Sequence, residues 1–231
     1  MIEKRTIEQF VAKGVLVELY GERDDDDSFS VGRIISVSPS DCTVESISEM
    51  GLPGGFLTIR LMAIRKIQWG TRYLEQLMLL AKTGKWWERR NSARTESSSG
   101  RNLVLEELRL AKAEGAFVSL GSDSDERESG GLVEAIEGNN VVIKQINSDG
   151  ECDGFTLMPL EEIAWIKRGG VLGNKCLTFY ENRVGLHKEH KMSLVLKPEQ
   201  KRRSKEGRSR VKKNSGVTGR GTGRKRGQRS R

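Results

Sequence analysis

The chain repeats itself. Gly32, Ile47, Gly51, Gly55-Phe56, Leu61, Ile64, Ile67 and Gly70 each meet the same residue type ninety-nine positions later. The partners are Gly131, Ile146, Gly150, Gly154-Phe155, Leu160, Ile163, Ile166 and Gly169. Ile34 with Val133, Val37 with Ile136, and Val44 with Ile143 fill the intervals conservatively. The opening segments match two positions further on, Gly14–Leu19 against Gly115–Leu120, so the first copy carries two extra residues in a polar loop. A duplication of this length makes each copy one folding unit and limits it to what about eighty residues can build.

Each copy reads in the same order. A short helix, about 6–13 or 102–113, is stopped by Gly14 or Gly115. Thr6 and Gln9 stand at capping-box spacing in the first copy. Strands follow at Val15–Tyr20, Gly32–Val37, Thr43–Ile47, Phe56–Arg60 and Ala63–Gln68. The second copy has them at Ala116–Leu120, Gly131–Ile136, Val141–Ile146, Phe155–Met158 and Ile163–Lys167. Five short strands divided by turn residues predict a small closed or nearly closed β-barrel, because closure removes the exposed edges of so small a sheet. The first copy ends in a helix over Thr71–Lys82, with Tyr73, Leu74, Leu77, Met78 and Ala81 at helical spacing. The matching Val171–Asn182 has Gly173 and Asn174 inside it and reads as a poorer helix or a further strand.

The predicted fold class is mainly β with short helices: two tandem small barrels and a disordered basic tail. The divisions are 1–82 for the first helix-plus-barrel unit, 83–101 for a linker, 102–182 for the second unit, 183–196 for a connecting segment and 197–231 for the tail. From Lys197 to Arg231 there are 15 Lys and Arg against Glu199 and Glu206, a net +13. The other 196 residues hold 25 basic and 30 acidic groups, a net −5. Val211 and Val217 are the tail's only branched aliphatic side chains, too few to offset chain entropy by burial.

A leading helix followed by five short bent strands resembles the SH3-like and Sm-like small barrels. The element Gly-Phe-x₄-Leu-x₂-Ile-x₂-Ile, at Gly55–Ile67 and Gly154–Ile166, is similar to one in uncharacterised bacterial proteins. In Sm-like proteins an Arg-Gly step helps hold RNA bases. Ile166-Lys167-Arg168-Gly169-Gly170-Val171 looks similar, whereas the first copy has Ile67-Gln68-Trp69-Gly70-Thr71 there. Glycines among Arg220, Arg224, Lys225, Arg226 and Arg229 resemble Arg/Gly-rich RNA-binding tails. Flexible cations of this kind displace condensed counterions from a phosphate backbone without a fixed pocket.

These features predict a non-enzymatic, RNA-associated protein, with the barrels as platform and the tail adding electrostatic affinity. The candidate nucleic-acid contacts are Lys85, Trp86, Trp87, Arg89, Arg90, Lys167, Arg168, Arg220, Arg224 and Arg226. Aromatic planes beside cations stack on unpaired bases, and the Trp pair serves equally well as a packing element or as an anchor for a protein partner. The alternative function is therefore an interaction or scaffold module that uses barrel grooves and Trp86/Trp87. No cofactor and no metal site is expected. Asp24–Asp27 lacks the alternation of a calcium loop, and His187 and His190 have no third or fourth zinc ligand in view. No P-loop, nucleophile elbow or dinucleotide glycine pattern occurs. Cys42, Cys152 and Cys176 make no disulfide framework, and no apolar run approaches the about 18–20 residues of a membrane span, so a reduced cytoplasmic setting is expected.

Overall fold

A computed structural model describes residues 3–21, 29–83, 96–97, 101–122 and 128–184. All of them lie in one compact unit, Met1–Glu189.

The first half runs α1 (Lys4–Lys13), β1 (Leu16–Gly21), β2 (Ser30–Val37), β3 (Asp41–Ile47), β4 (Pro53–Arg60), a 3-10 turn at Leu61–Ala63, β5 (Ile64–Trp69) and α2 (Arg72–Thr83). A two-residue strand, β6 (Glu96–Ser97), lies parallel to β2. The second half repeats the order: α3 (Leu103–Glu114), β7 (Phe117–Ser122), β8 (Ser129–Glu137), β9 (Asn140–Ile146), β10 (Cys152–Pro159), a 3-10 turn at Leu160–Glu162, β11 (Ile163–Arg168) and α4 (Gly170–Val184). Both leading helices end on a left-handed glycine, Gly14 and Gly115, as the sequence predicts. Their starts differ. Asn102 Oδ1 accepts the Leu105 amide at 3.0 Å and caps α3. In α1 the capping-box spacing at Thr6 is unused: the helix starts two residues earlier, Glu3 is the cap residue without a side-chain bond, and the Thr6 amide donates to Glu3 O at 3.0 Å.

Where the sequence left Val171–Asn182 open between helix and strand, the chain is helical. Gly173 sits against the Phe117 ring, where a Cβ would lie 3.0 Å from Cδ1. The glycine is there to make room for an aromatic ring, and the helix forms in spite of its weak propensity.

The strands form one mainly antiparallel sheet in the order β10-β9-β8-β7-β11-β4-β3-β2-β1-β5, with β6 set aside on β2. In each half the fifth strand returns to pair with the first: β5 with β1, and β11 with β7. The sequence predicts two closed or nearly closed barrels, whereas the strand path is a single open sheet. The outer edge of β4 is taken by β11 from the other half, in the register Trp165↔Ile59, Ile166↔Thr58, Lys167↔Leu57 and Arg168↔Phe56. An edge that closure would have covered is covered across the repeat instead.

The join is tight. Arg60 Nε donates to Ile163 O at 2.6 Å and its Nη2 to Leu160 O at 2.8 Å. Gly55 has φ +89, and a Cβ there would stand 2.4 Å from Arg168 O, so both backbone conformation and close approach require glycine. Ala164 is buried in the first half's core, and Trp165 packs against that core, although both belong to the second half.

Each half sandwiches its strands between two helices. Ile7 and Phe10 of α1 share a core with Val17, Leu19, Ile34 and Val44. Leu74, Leu77 and Ala81 of α2 meet Leu16, Val31 and Ile47. In the second half Val104, Leu108 and Ala111 of α3 pack with Val118, Leu120 and Ile143, while Cys176 of α4 packs with Phe117 and Ile146. Helices on both faces explain why β1 and β3 are buried almost throughout rather than at alternate positions.

Candidate functional site

Of the ten candidate contacts, Lys167 and Arg168 fall among the described residues. Lys85, Trp86, Trp87, Arg89, Arg90, Arg220, Arg224 and Arg226 lie outside them, as do Asp24–Asp27, His187 and His190. Lys167 and Arg168 are neighbours on β11, so their side chains leave opposite faces of the strand.

Arg168 is 7% exposed. Its Nε donates to Glu107 Oε2 at 2.7 Å and its Nη1 to Glu114 Oε2 at 2.6 Å, both on α3. Its guanidinium carbon stands 4.6 Å from the centroid of the Phe56 ring on β4. Every strong interaction of this cation is spent inside the protein, tying α3, β11 and β4 together. A residue read from the sequence as a base contact thus stands as a structural strut.

Lys167 is exposed and reaches a cleft of about 460 Å³ lined by Phe29, Ser30, Val31, Ser46, Ile47, Glu49 and Tyr73. The cleft is therefore walled by β2, β3, the start of α2 and the strand from the other half. Its aromatic side is built in steps. Tyr20 and Phe29 have ring centroids 5.1 Å apart, and Phe29 meets Tyr73 edge-on at 5.6 Å. Lys66 Nζ lies 3.7 Å over the Tyr20 ring. The Tyr20 hydroxyl lies 2.9 Å from Glu18 Oε2 and 2.8 Å from Gln68 Oε1, and its one proton serves either. Thr71 donates to Glu18 Oε1 at 2.5 Å and accepts the Leu74 amide at 3.3 Å, so it both satisfies the buried carboxylate and caps α2. Burial pushes the Tyr73 phenol above its ordinary range, helped by the charges of Glu49 and Glu18.

Its described lining therefore offers an aromatic edge, hydroxyls, the Lys167 ammonium and the Glu49 carboxylate. That set can hold a flat, polar ring or a peptide side chain. Cys42 is fully buried in the core, and burial, then Asp41, pushes its thiol up to about 12, far from the reactive thiolate range. Cys176 is buried against Phe117, and Cys152 is exposed. Among the described residues, no three His, Cys, Asp or Glu side chains gather as metal ligands, and no helix is long and apolar enough to cross a membrane.

The sequence did not single out this cleft. Phe29 closes a polar loop, Tyr73 reads as one turn of an amphipathic helix, and Glu49 lies in a turn. Nothing in their spacing links them to Lys167, which arrives through the β4–β11 pairing. No family model, curated protein or solved structure matches this chain.

Proposed function

We propose that this is a non-enzymatic RNA-associated protein, in which each five-strand set acts as an SH3-like or Sm-like small barrel and the basic tail supplies electrostatic affinity. The observation that carries the reading is the division of charge: +13 over Lys197–Arg231 beside a body of −5. Such a tail gains affinity by counterion release, while a body of opposite sign contributes selectivity only through local contacts. The cleft at Lys167 has the composition for one such contact. Phe29 and Tyr73 present ring surface, and the ammonium group answers a phosphate.

The test is binding of a labelled single-stranded RNA by the full chain and by residues 1–196 over a range of salt. The full chain is expected to bind more tightly at low salt with a steep salt dependence, and 1–196 to bind weakly with a shallow one. Lys167→Glu in the full chain is expected to lower affinity several-fold without changing the fold. Equal affinity of the two lengths at modest salt would overturn the tail's role. The negative body favours a second reading, a module that holds a protein partner. Recovery of one stoichiometric protein after nuclease treatment, unchanged in 1–196, would replace the RNA reading with it.

A further inference from the structure

The sheet ends on two strands that are copies of the two strands joined at its centre. β10 is the repeat of β4, and β5 is the repeat of β11. At the centre, β4 and β11 pair antiparallel over Phe56–Ile59 and Trp165–Arg168. At the ends, among the described residues, β10 pairs with β9 alone and β5 with β1 alone. One molecule therefore carries both halves of a joint whose geometry it already displays once.

The side chains at the two ends differ from those at the centre in a telling way. Thr58, fully buried in the central joint, is Leu157 in the copy, and Leu157 is 65% exposed. Arg168, buried over the Phe56 ring, is Trp69 in the copy, 59% exposed, and Phe56 is Phe155. Where the internal joint buries a threonine and an ion-paired arginine, the outer edges hold out a leucine and a tryptophan to water. Free edges are ordinarily blunted by charge, and a large apolar residue on one is an invitation to pair.

We infer that β10 of one molecule pairs with β5 of a second copy, antiparallel, in the register Lys66↔Met158, Ile67↔Leu157, Gln68↔Thr156 and Trp69↔Phe155. Leu157 then lies across from Ile67, and Trp69 covers Phe155 as Arg168 covers Phe56. Thr71 stands where the central joint has Gly170, whose missing Cβ lets Gly54 O approach, so the new pairing ends at Trp69. Arg60, which clamps the central joint, is Pro159 in the copy, so the outer joint relies on apolar contact and ladder bonds. The two edges are different surfaces, so the contact is head-to-tail, and each added chain presents the same free edge again. This inference rests on the duplication and is independent of any RNA.

The experiment is the mass in solution of the full chain after nuclease treatment, by light scattering behind gel filtration. The expected mass is two or more times the 25.9 kDa of one chain. Leu157→Asp, a change on an exposed side chain, is expected to return it to one chain with an unaltered far-ultraviolet spectrum. A second measurement fixes the register. In a Cys152→Ser background, one chain carries Gln68→Cys and another Thr156→Cys. Oxidation of the mixture is expected to link one of each into a dimer, and neither chain alone is expected to link. A single-chain mass at every soluble concentration would overturn the inference. So would a multimer that is indifferent to Leu157→Asp and gives no cross-link, or a single chain that takes up a foreign protein along β10.

Discussion

In the first half Leu16 of β1 and Leu74 of α2 share a buried cluster; in the second, the same two places hold Phe117 and Gly173. The volume that leaves the helix enters the strand. Elsewhere the substitution is one of chemistry: Cys42 on β3 corresponds to Val141 on β9, both fully buried, and the buried Arg168 corresponds to the exposed Trp69. Two copies of one plan keep their strand order and exchange the contents of single positions in compensating sets. The backbone plan is thus tolerant, while each packed layer is particular to its half.

The largest expected effect tests the asymmetry at Arg168. Arg168→Met leaves Glu107 buried without its cation and is expected to cost about 3–5 kcal/mol in urea unfolding. Trp69→Met, at the equivalent place in the first half, removes an edge-on contact with Phe10 and is expected to cost about 1 kcal/mol. Equal costs would mean the two equivalent positions are alike and the ion pairs of Arg168 to α3 add nothing.

The next effect is alkaline. The folded chain holds the Cys42 thiol neutral up to about 12 against an ordinary value of 9.0. The unfolded chain ionises first, so this stabilisation is whole below pH 9 and is lost as pH rises from there through 12. The loss is on the order of 4 kcal/mol by the top of that window. Cys42→Val, which installs the second half's residue, is expected to flatten this limb in denaturation measured at successive pH values. Tyr73, whose phenol is also pushed up, adds a smaller fall on the same side that Tyr73→Phe would isolate. A limb unchanged by both substitutions would place the alkaline sensitivity elsewhere.

Smaller still is the exchange of volumes. Gly173→Leu alone pushes a side chain into the Phe117 ring and is expected to destabilise by about 1–3 kcal/mol. Adding Phe117→Leu recreates the first half's pair and is expected to recover most of that loss, which a thermal double-mutant cycle would show as strong coupling. Additive losses would mean the two positions do not share one space. The smallest contrast concerns the caps. Asn102→Ala is expected to cost about 1 kcal/mol, and Glu3→Ala, whose side chain makes no cap bond, a few tenths at most.

The duplication and the strands were legible because both leave a local trace: glycines at turns and apolar runs between them. Ser129–Glu137 and Asn140–Ile146 start or end within a residue or two of their expected bounds. Gly173 misled for a physical reason, since its neighbour Phe117 is remote in sequence and the glycine answers that ring rather than the helix. The union of the halves was not legible. Arg60 meets carbonyls a hundred residues away, and no periodicity marks a strand as the partner of another repeat's strand. The Arg-Gly context drew attention to Lys167, but nothing in it pointed to the cleft, whose described walls come from four separate segments.

The pairing of β4 with β11 also sets a schedule for biosynthesis. The first half is complete in sequence by Thr83, yet the outer edge of β4 finds its partner only when Arg168 has left the ribosome. At about 5–20 residues per second that is a delay of roughly 5–20 s. Throughout that interval a nascent chain displays an unpaired strand edge and lacks Ala164 and Trp165 against its first core. Neighbouring nascent chains on one message would carry the same open edge at the same time. The strand that welds the halves is therefore the last of the described strands to arrive, and crowded translation is where this fold is most exposed to pairing with the wrong copy.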